Sequence, residues 1–97
     1  MIMETQESTL TLALMTQPAR IRICRALLEA GEAGLPATDL AQVAQLSLGR
    51  AGHVFSELVQ ADVLALSIQE RRVCYVLKAR RAVTEALGYI DASGLAD

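Results

Sequence analysis

The sequence predicts a mainly helical domain with one small β-hairpin, an α+β fold. Apolar residues recur at helical spacing over most of the chain, and the period changes to two over residues 63–77. The chain is 53% hydrophobic but contains only three aromatic residues, so its core must consist mainly of Leu, Val, Ile and Ala, which suit closely packed helices. With 97 residues the chain is too short for a multidomain enzyme, and we expect residues 1–97 to form one domain.

Two helices are predicted in the first third of the chain. Residues 5–16 form the first, whose helically spaced apolar residues include Leu10, Ala13 and Leu14. A second helix begins at Pro18, where the missing N–H costs nothing, and ends at Gly31. Both helices have apolar faces that need partners.

A helix-turn-helix is predicted over residues 36–60. Pro36 opens a short third helix, and the link Gln45-Leu46-Ser47 interrupts its apolar period. The Ser47 side chain can cap the fourth helix by accepting a hydrogen bond from its first turn. The apolar residues of this fourth helix follow an i, i+3, i+4, i+7 pattern: Ala51, Val54, Phe55 and Leu58.

The hairpin is predicted over residues 63–77. One face of its first strand carries Leu64, Leu66 and Ile68. Gln69 and Glu70 form the turn, and the second strand begins at Arg71.

A last helix is predicted over residues 78–91, followed by a weakly structured tail over residues 91–97. The complete order is helix, helix, helix-turn-helix, hairpin, helix. This is the order of a winged helix-turn-helix, in which the hairpin is the wing.

Charge is unevenly distributed along the chain. The formal net charge is −2, which excludes a generally polycationic surface, yet residues 50–81 carry six positive and three negative residues. Arg50, Arg71 and Arg72 of this segment fall on the fourth helix and the wing, the elements that face the duplex in a winged helix-turn-helix, where Lys and Arg would neutralise phosphates. An ordinary solvated surface is the alternative explanation.

Several segments resemble the ArsR/SmtB family of transcriptional repressors. The run Gln17-Pro-Ala-Arg-Ile-Arg-Ile-Cys-Arg-Ala-Leu-Leu28 resembles the family's second helix, and Gly34-Leu-Pro-Ala-Thr-Asp-Leu-Ala41 resembles its "GLPAGELA" third helix. Glu70-Arg-Arg-Val-Cys-Tyr75 stands where the family has "EGRxVxY" in the wing. The resemblance covers about residues 10–90, and the order and spacing of the segments carry it.

The resemblance implies a homodimeric transcriptional repressor that binds double-stranded DNA at a palindromic operator. The candidate DNA-binding residues are Ser47, Arg50, His53, Ser56, Arg71 and Arg72. In that family the first and last helices pair across the dimer, which implicates Leu10, Ala13, Leu14, Ala82, Val83, Ala86, Leu87 and Ile90. Because the fourth helix contains Gly49 and Gly52, a winged-helix protein-interaction module without specific DNA binding is the alternative.

None of the family's familiar metal sites is present in the sequence. Residues 36–39 contain no Cys, no His follows Lys78, and Gly88-Tyr-Ile-Asp-Ala92 stands where one branch has Asn-Cys-Cys. If the protein senses a small inducer or a metal, the remaining candidate site is a thiol sensor made of Cys24 and Cys74, for a soft metal or a redox signal. Cys24 lies on an apolar stripe, which favours a small core residue over a sensor thiol, whereas Cys74 is expected to be more exposed.

Catalytic constellations are not found in the sequence. It has no Ser/His/Asp ordering, no phosphate-binding Gly loop and no paired carboxylates in a plausible cleft, so we expect a non-enzyme without a cofactor. No apolar run reaches the roughly 20 residues that span a bilayer, so no membrane partner is expected. Two Cys fifty residues apart and no recognisable secretory signal favour a reduced, cytoplasmic protein.

Overall fold

The computed structural model describes residues 11–93. Its helices are α1, described over residues 11–14, α2 (Pro18–Ala30), α3 (Ala37–Ala44), α4 (Leu48–Gln60) and α5 (Arg80–Ser93). Its strands are β1 (Leu35–Pro36), β2 (Leu64–Gln69) and β3 (Arg72–Leu77). The predicted order of elements is confirmed, with β1 added. The predicted helix over residues 5–16 lies partly outside the described residues, and so does Leu10.

The helix-turn-helix forms where the sequence predicted it. Gln45 ends α3 in the left-handed conformation, with φ of 60°, and its N–H donates to backbone oxygens of the last turn. Ser47 then caps α4, because its Oγ accepts a hydrogen bond from the Arg50 N–H at 3.3 Å. This pair of caps fixes the angle at which α4 leaves α3.

The wing belongs to a three-stranded antiparallel sheet with the order β1-β3-β2. Strand β1 pairs Leu35 with Tyr75 and Pro36 with Cys74, so it ties the wing to the start of α3. Sequence patterning missed β1 because it has only two residues and one of them is a proline.

Gly34 allows the close contact between β1 and β3. Its φ is +70°, and a Cβ at this position would lie 2.2 Å from the Tyr75 backbone oxygen. Only glycine adopts this backbone conformation without strain and leaves that space empty.

The turn of the hairpin lies one residue later than predicted. Gln69 pairs with Arg72, so Glu70 and Arg71 are the two turn residues. Both have positive φ, 51° and 65°, which is the type I′ geometry that matches the twist of a hairpin. Arg71 therefore lies at the tip of the wing, not in the strand.

Helix α5 is also longer at its end than predicted. The residues 91–93 that were assigned to a weakly structured tail continue the helix. Asp91 forms an ion pair with Arg25 of α2, and this contact holds the last turn of α5 against the rest of the domain.

The core is built as the composition predicted, with aliphatic side chains around one aromatic ring. Its largest fully buried side chains are Phe55, Met15, Ile23, Leu27, Leu40, Leu58, Leu64, Ile90, Val63, Val83 and Cys24. They come from α2, α3, α4 and α5, from the turn after α1 and from the base of the wing, so α4 and the wing are fixed to the same core. No helix within residues 11–93 is long and apolar enough to cross a membrane.

Candidate nucleic-acid interface

Helix α4 has one buried face and one exposed face. Ala51, Phe55 and Leu58 are buried in the core. The predicted contact residues Arg50, His53 and Ser56 are all exposed, as is Ser47 at the start of the helix. The i, i+3, i+6 spacing of the three helical residues places them along one outward stripe.

Ser47 has two roles open to it at the start of α4. Its Oγ accepts the capping hydrogen bond from Arg50, while the hydroxyl proton remains free to donate. A serine hydroxyl beside the free N–H groups of a helix start is a suitable phosphate donor.

The wing contributes two more exposed cations. Arg71 lies in the turn and Arg72 begins β3. Within residues 11–93, no carboxylate forms an ion pair with Arg50, Arg71 or Arg72. Their charges are therefore available to a ligand.

Two of the three acidic residues within 50–81 form ion pairs with basic side chains in the folded chain. Glu57 pairs with Arg20 at 2.7 Å, and Asp62 pairs with Lys78. Arg20 also donates to the Leu14 carbonyl oxygen and has only 12% of its side chain exposed, so it connects α1 to α4. These pairs could not be identified from the sequence, because both join residues distant in the chain.

An open apolar groove of about 440 Å³ lies between α4 and the wing. Its lining includes Leu48, Gly52 and Phe55 of α4, Arg72, Val73 and Tyr75 of β3, and the first turn of α3. Sequence reasoning missed this groove, because no local pattern brings residues 48–55 and 72–75 together. Its signals in the sequence were Gly52, a glycine inside a helix, and the apolar residues Leu48 and Val73, which the fold leaves 56% and 42% exposed.

No family model matches the chain, and no curated protein matches it. Solved structures do. HlyU from Vibrio cholerae superimposes with a TM-score of 0.74 at 16% identity, covering 91% of this chain and 92% of that one. A predicted DNA-binding transcriptional regulator from E. coli gives 0.71 at 17% identity, covering 91% of this chain and 90% of that one. The cadmium metal-sensor CMTR from Mycobacterium tuberculosis gives 0.58 at 26% identity, covering 80% and 77%.

This chain has a winged helix-turn-helix fold. The agreement extends over about nine-tenths of this chain and of both HlyU and the E. coli regulator. In a winged helix-turn-helix, α4 is the recognition helix and the β2–β3 hairpin is the wing. The exposed cations identified above lie on these two elements.

Most of the residues of α5 that were predicted to form a dimer interface are covered within the single chain. Of the predicted dimer residues, Val83, Ala86, Leu87 and Ile90 are buried within the single chain. The others that the structure describes are less covered: Ala82 and Leu14 are half-buried and Ala13 is exposed. A dimer interface on these helices would have to use their remaining exposed surface.

Both cysteines are buried, which corrects the expectation that Cys74 is the more exposed. Cys74 is 4% exposed and lies in the central strand of the sheet, between Pro36 of β1 and Ser67 of β2. Cys24 is fully buried among core residues, and this burial raises the pKa of its thiol to about 12. Within residues 11–93, no three His, Cys, Asp or Glu side chains are grouped so that they could hold a metal ion.

Proposed function

We propose that this protein is a DNA-binding transcriptional regulator, a homodimeric repressor of the ArsR/SmtB type that recognises a palindromic operator. The observation that carries the proposal is the set of three arginines on the recognition helix and the wing, Arg50, Arg71 and Arg72, that form no ion pair within residues 11–93. The family segments quoted from the sequence and the 26% identity to the metal-sensor CMTR support the assignment to this type.

Recognition would be divided between the two elements. Arg50 and His53 of α4 are suited to hydrogen bonds with base edges in the major groove, while Ser47 and Ser56 are suited to phosphates. Arg71 and Arg72 at the tip of the wing would contact the backbone or the minor groove. Two protomers place their recognition helices about 34 Å apart, one turn of DNA, so the operator should contain two inverted half-sites.

The proposal is tested by selecting duplexes from a random library with the purified protein and measuring their binding by fluorescence anisotropy. We expect an inverted repeat to be recovered, and we expect Arg50→Ala to weaken its binding by about 5- to 150-fold, the value of one bidentate base contact. Arg22→Ala is the matched control, because Arg22 is an exposed arginine of α2 without an ion pair within residues 11–93. Equal binding by both variants, or no selected sequence, would overturn the proposal in favour of a protein-interaction module.

Contacts from the wing have a separate signature. Because Arg71 and Arg72 would neutralise phosphates, Arg71→Ala and Arg72→Ala should weaken selected and scrambled duplexes alike. The slope of log affinity against log salt concentration is negative, and each substitution should reduce its magnitude by about 1. Light scattering on the free protein and on the complex gives the number of protomers, with a dimer expected on one inverted repeat.

A further inference from the structure

We propose that the groove between the recognition helix and the wing binds a small organic anion with an aromatic body, and that its occupancy weakens DNA binding. The effect on DNA binding rests on the proposed function. Binding of the ligand to the free protein does not depend on that function and is tested separately.

The size and lining of the groove point to a small molecule. Its volume of about 440 Å³ falls in the range of roughly 300–1,000 Å³ that is usual for small-molecule sites. Leu48 and Val73 form apolar walls that remain partly exposed to water, so a ligand that covered them would gain hydrophobic free energy.

The floor of the groove is aromatic. Phe55 and Tyr75 are two of the only three aromatic residues in the chain, and their ring centroids lie 4.7 Å apart at an interplanar angle of 39°. Because Phe55 is 1% exposed and Tyr75 is half-buried, a flat aromatic ligand would pack mainly against Tyr75, whose ring Phe55 supports.

Gly52 keeps the α4 side of the groove open. It lies in the interior of α4, where glycine is less favourable than alanine, and a Cβ at this position would meet no atom within 4 Å. Internal packing therefore does not require a glycine here. A larger side chain at position 52 would instead project into space that the ligand needs.

The charge of the groove selects an anion. Among residues 11–93, Arg72 is the one charged residue of the lining, no acidic residue lines the groove, and no carboxylate forms an ion pair with Arg72. A carboxylate or sulfonate on the ligand would give Arg72 the charge-assisted partner that the fold does not supply. Because Arg72 is also a proposed phosphate contact, ligand and DNA would compete for the same guanidinium.

Binding is tested on the free protein with 2-naphthoate, using amide chemical shifts in NMR titrations. We expect saturable shifts centred on Gly52, Phe55 and Val73. The neutral analogue 2-naphthalenemethanol should bind about tenfold more weakly, because it lacks the charge-assisted contact. Shifts centred elsewhere, no saturable binding, or equal binding of the neutral analogue would each overturn the proposed site or its preference for anions.

Variants connect the binding to the groove. Gly52→Leu should fill the groove and abolish saturable binding, whereas Gly49→Leu on the same helix should not, because Gly49 does not line it. Arg72→Gln should reduce the affinity for 2-naphthoate to that for the neutral analogue, while Arg81→Gln outside the groove leaves it unchanged. Because Arg72→Gln keeps the apolar lining, the amide shifts that this variant shows on binding 2-naphthoate also show that its fold is intact. If Arg72→Gln bound 2-naphthoate as tightly as the wild type, Arg72 would have no part in recognition.

Regulation is tested on a duplex that the protein binds. In the wild type, 2-naphthoate should raise the apparent Kd of the duplex in proportion to groove occupancy, and with Gly52→Leu it should have no effect. If 2-naphthoate binds in the groove and the duplex affinity does not change, the regulatory half is wrong and the site remains. If no duplex binds at any ligand concentration, the proposed function is wrong and the titration of the free protein still decides the site.

Discussion

At the scale of single residues, burial determines which groups can react. The sequence offered Cys24 and Cys74 as a thiol pair, and three-dimensional packing places both out of reach of solvent. Cys24 has no ionised neighbour that would stabilise a thiolate, and desolvation alone raises the pKa of its thiol to about 12. It behaves as a small core side chain.

Alkylation measures this directly. A rise in the thiol pKa from 9.0 to about 12 lowers the fraction of thiolate near neutral pH about a thousandfold. In native protein at pH 8, iodoacetamide should therefore leave Cys24 unmodified on the timescale on which it modifies a peptide thiol. In 8 M urea both cysteines should react, as shown by mass spectrometry of the digested protein. Rapid modification of Cys24 in the native protein would instead support the hypothesis of a thiol sensor.

Within residues 11–93, two glycines have positive φ, Gly31 and Gly34, and they provide a matched pair of substitutions. Gly31→Ala introduces a Cβ into open space, so its cost is the backbone strain alone, about 1–3 kcal/mol. Gly34→Ala carries the same strain and also places a Cβ 2.2 Å from the Tyr75 backbone oxygen and 2.6 Å from a Val76 methyl group. We expect Gly34→Ala to have the lower free energy of unfolding in urea by at least about 2 kcal/mol. Equal values would mean that β1 moves freely away from β3.

At the scale of elements, α4 is an amphipathic helix whose stability depends on its ends. It has no acidic residue in its first turn and no basic residue in its last, and it contains two glycines. The Ser47 cap is the one specific stabilising contact at its start that the sequence identified in advance. The groove beside it could not be predicted, because it depends on the position of β3 relative to α4.

The contribution of this cap can be measured. Ser47→Ala should lower the free energy of unfolding by about 1 kcal/mol, the usual value of an N-cap side chain. Ser56→Ala is the control, since Ser56 is exposed in the middle of α4 and alanine favours helix slightly. Chemical denaturation should show that Ser47→Ala lowers the free energy of unfolding, whereas Ser56→Ala leaves it unchanged or raises it slightly. Identical curves would show that the Arg50 N–H is satisfied equally well by water.

At the scale of the whole molecule, long-range contacts decide what the sequence could not. Periodicity predicted the order of elements and most boundaries, since helical and strand spacing are local properties. It missed β1, the position of the turn at Arg71, the burial of Cys74 and the helical residues 91–93. Each of these depends on contacts between segments about 40 or more residues apart, or on the one-residue register of the hairpin.

One such long-range contact makes stability depend on acid pH. Arg25 of α2 donates hydrogen bonds to Asp91 of α5 and lowers the pKa of that carboxyl below its ordinary value of 3.8. The stabilisation is complete above pH 3.8 and is lost as pH falls through the lower pKa of the folded state. The difference in urea midpoint between wild type and Asp91→Asn should therefore shrink below pH 3.8. Arg25→Gln should remove this pH dependence, and additive effects of Arg25→Gln and Asp91→Asn would show that the pair is not coupled.

The pairing of β1 with β3 also has a consequence for how the chain folds. Leu35 and Tyr75 are forty residues apart, and the segment between them contains the whole helix-turn-helix and the first strand of the wing. The β2–β3 hairpin closes over only a two-residue turn and can form within microseconds, whereas β1 must wait until the helix-turn-helix has condensed. A nascent chain that has emerged only as far as α4 lacks the strand that covers Phe55, so α4 acquires its native support only when the wing has been synthesised.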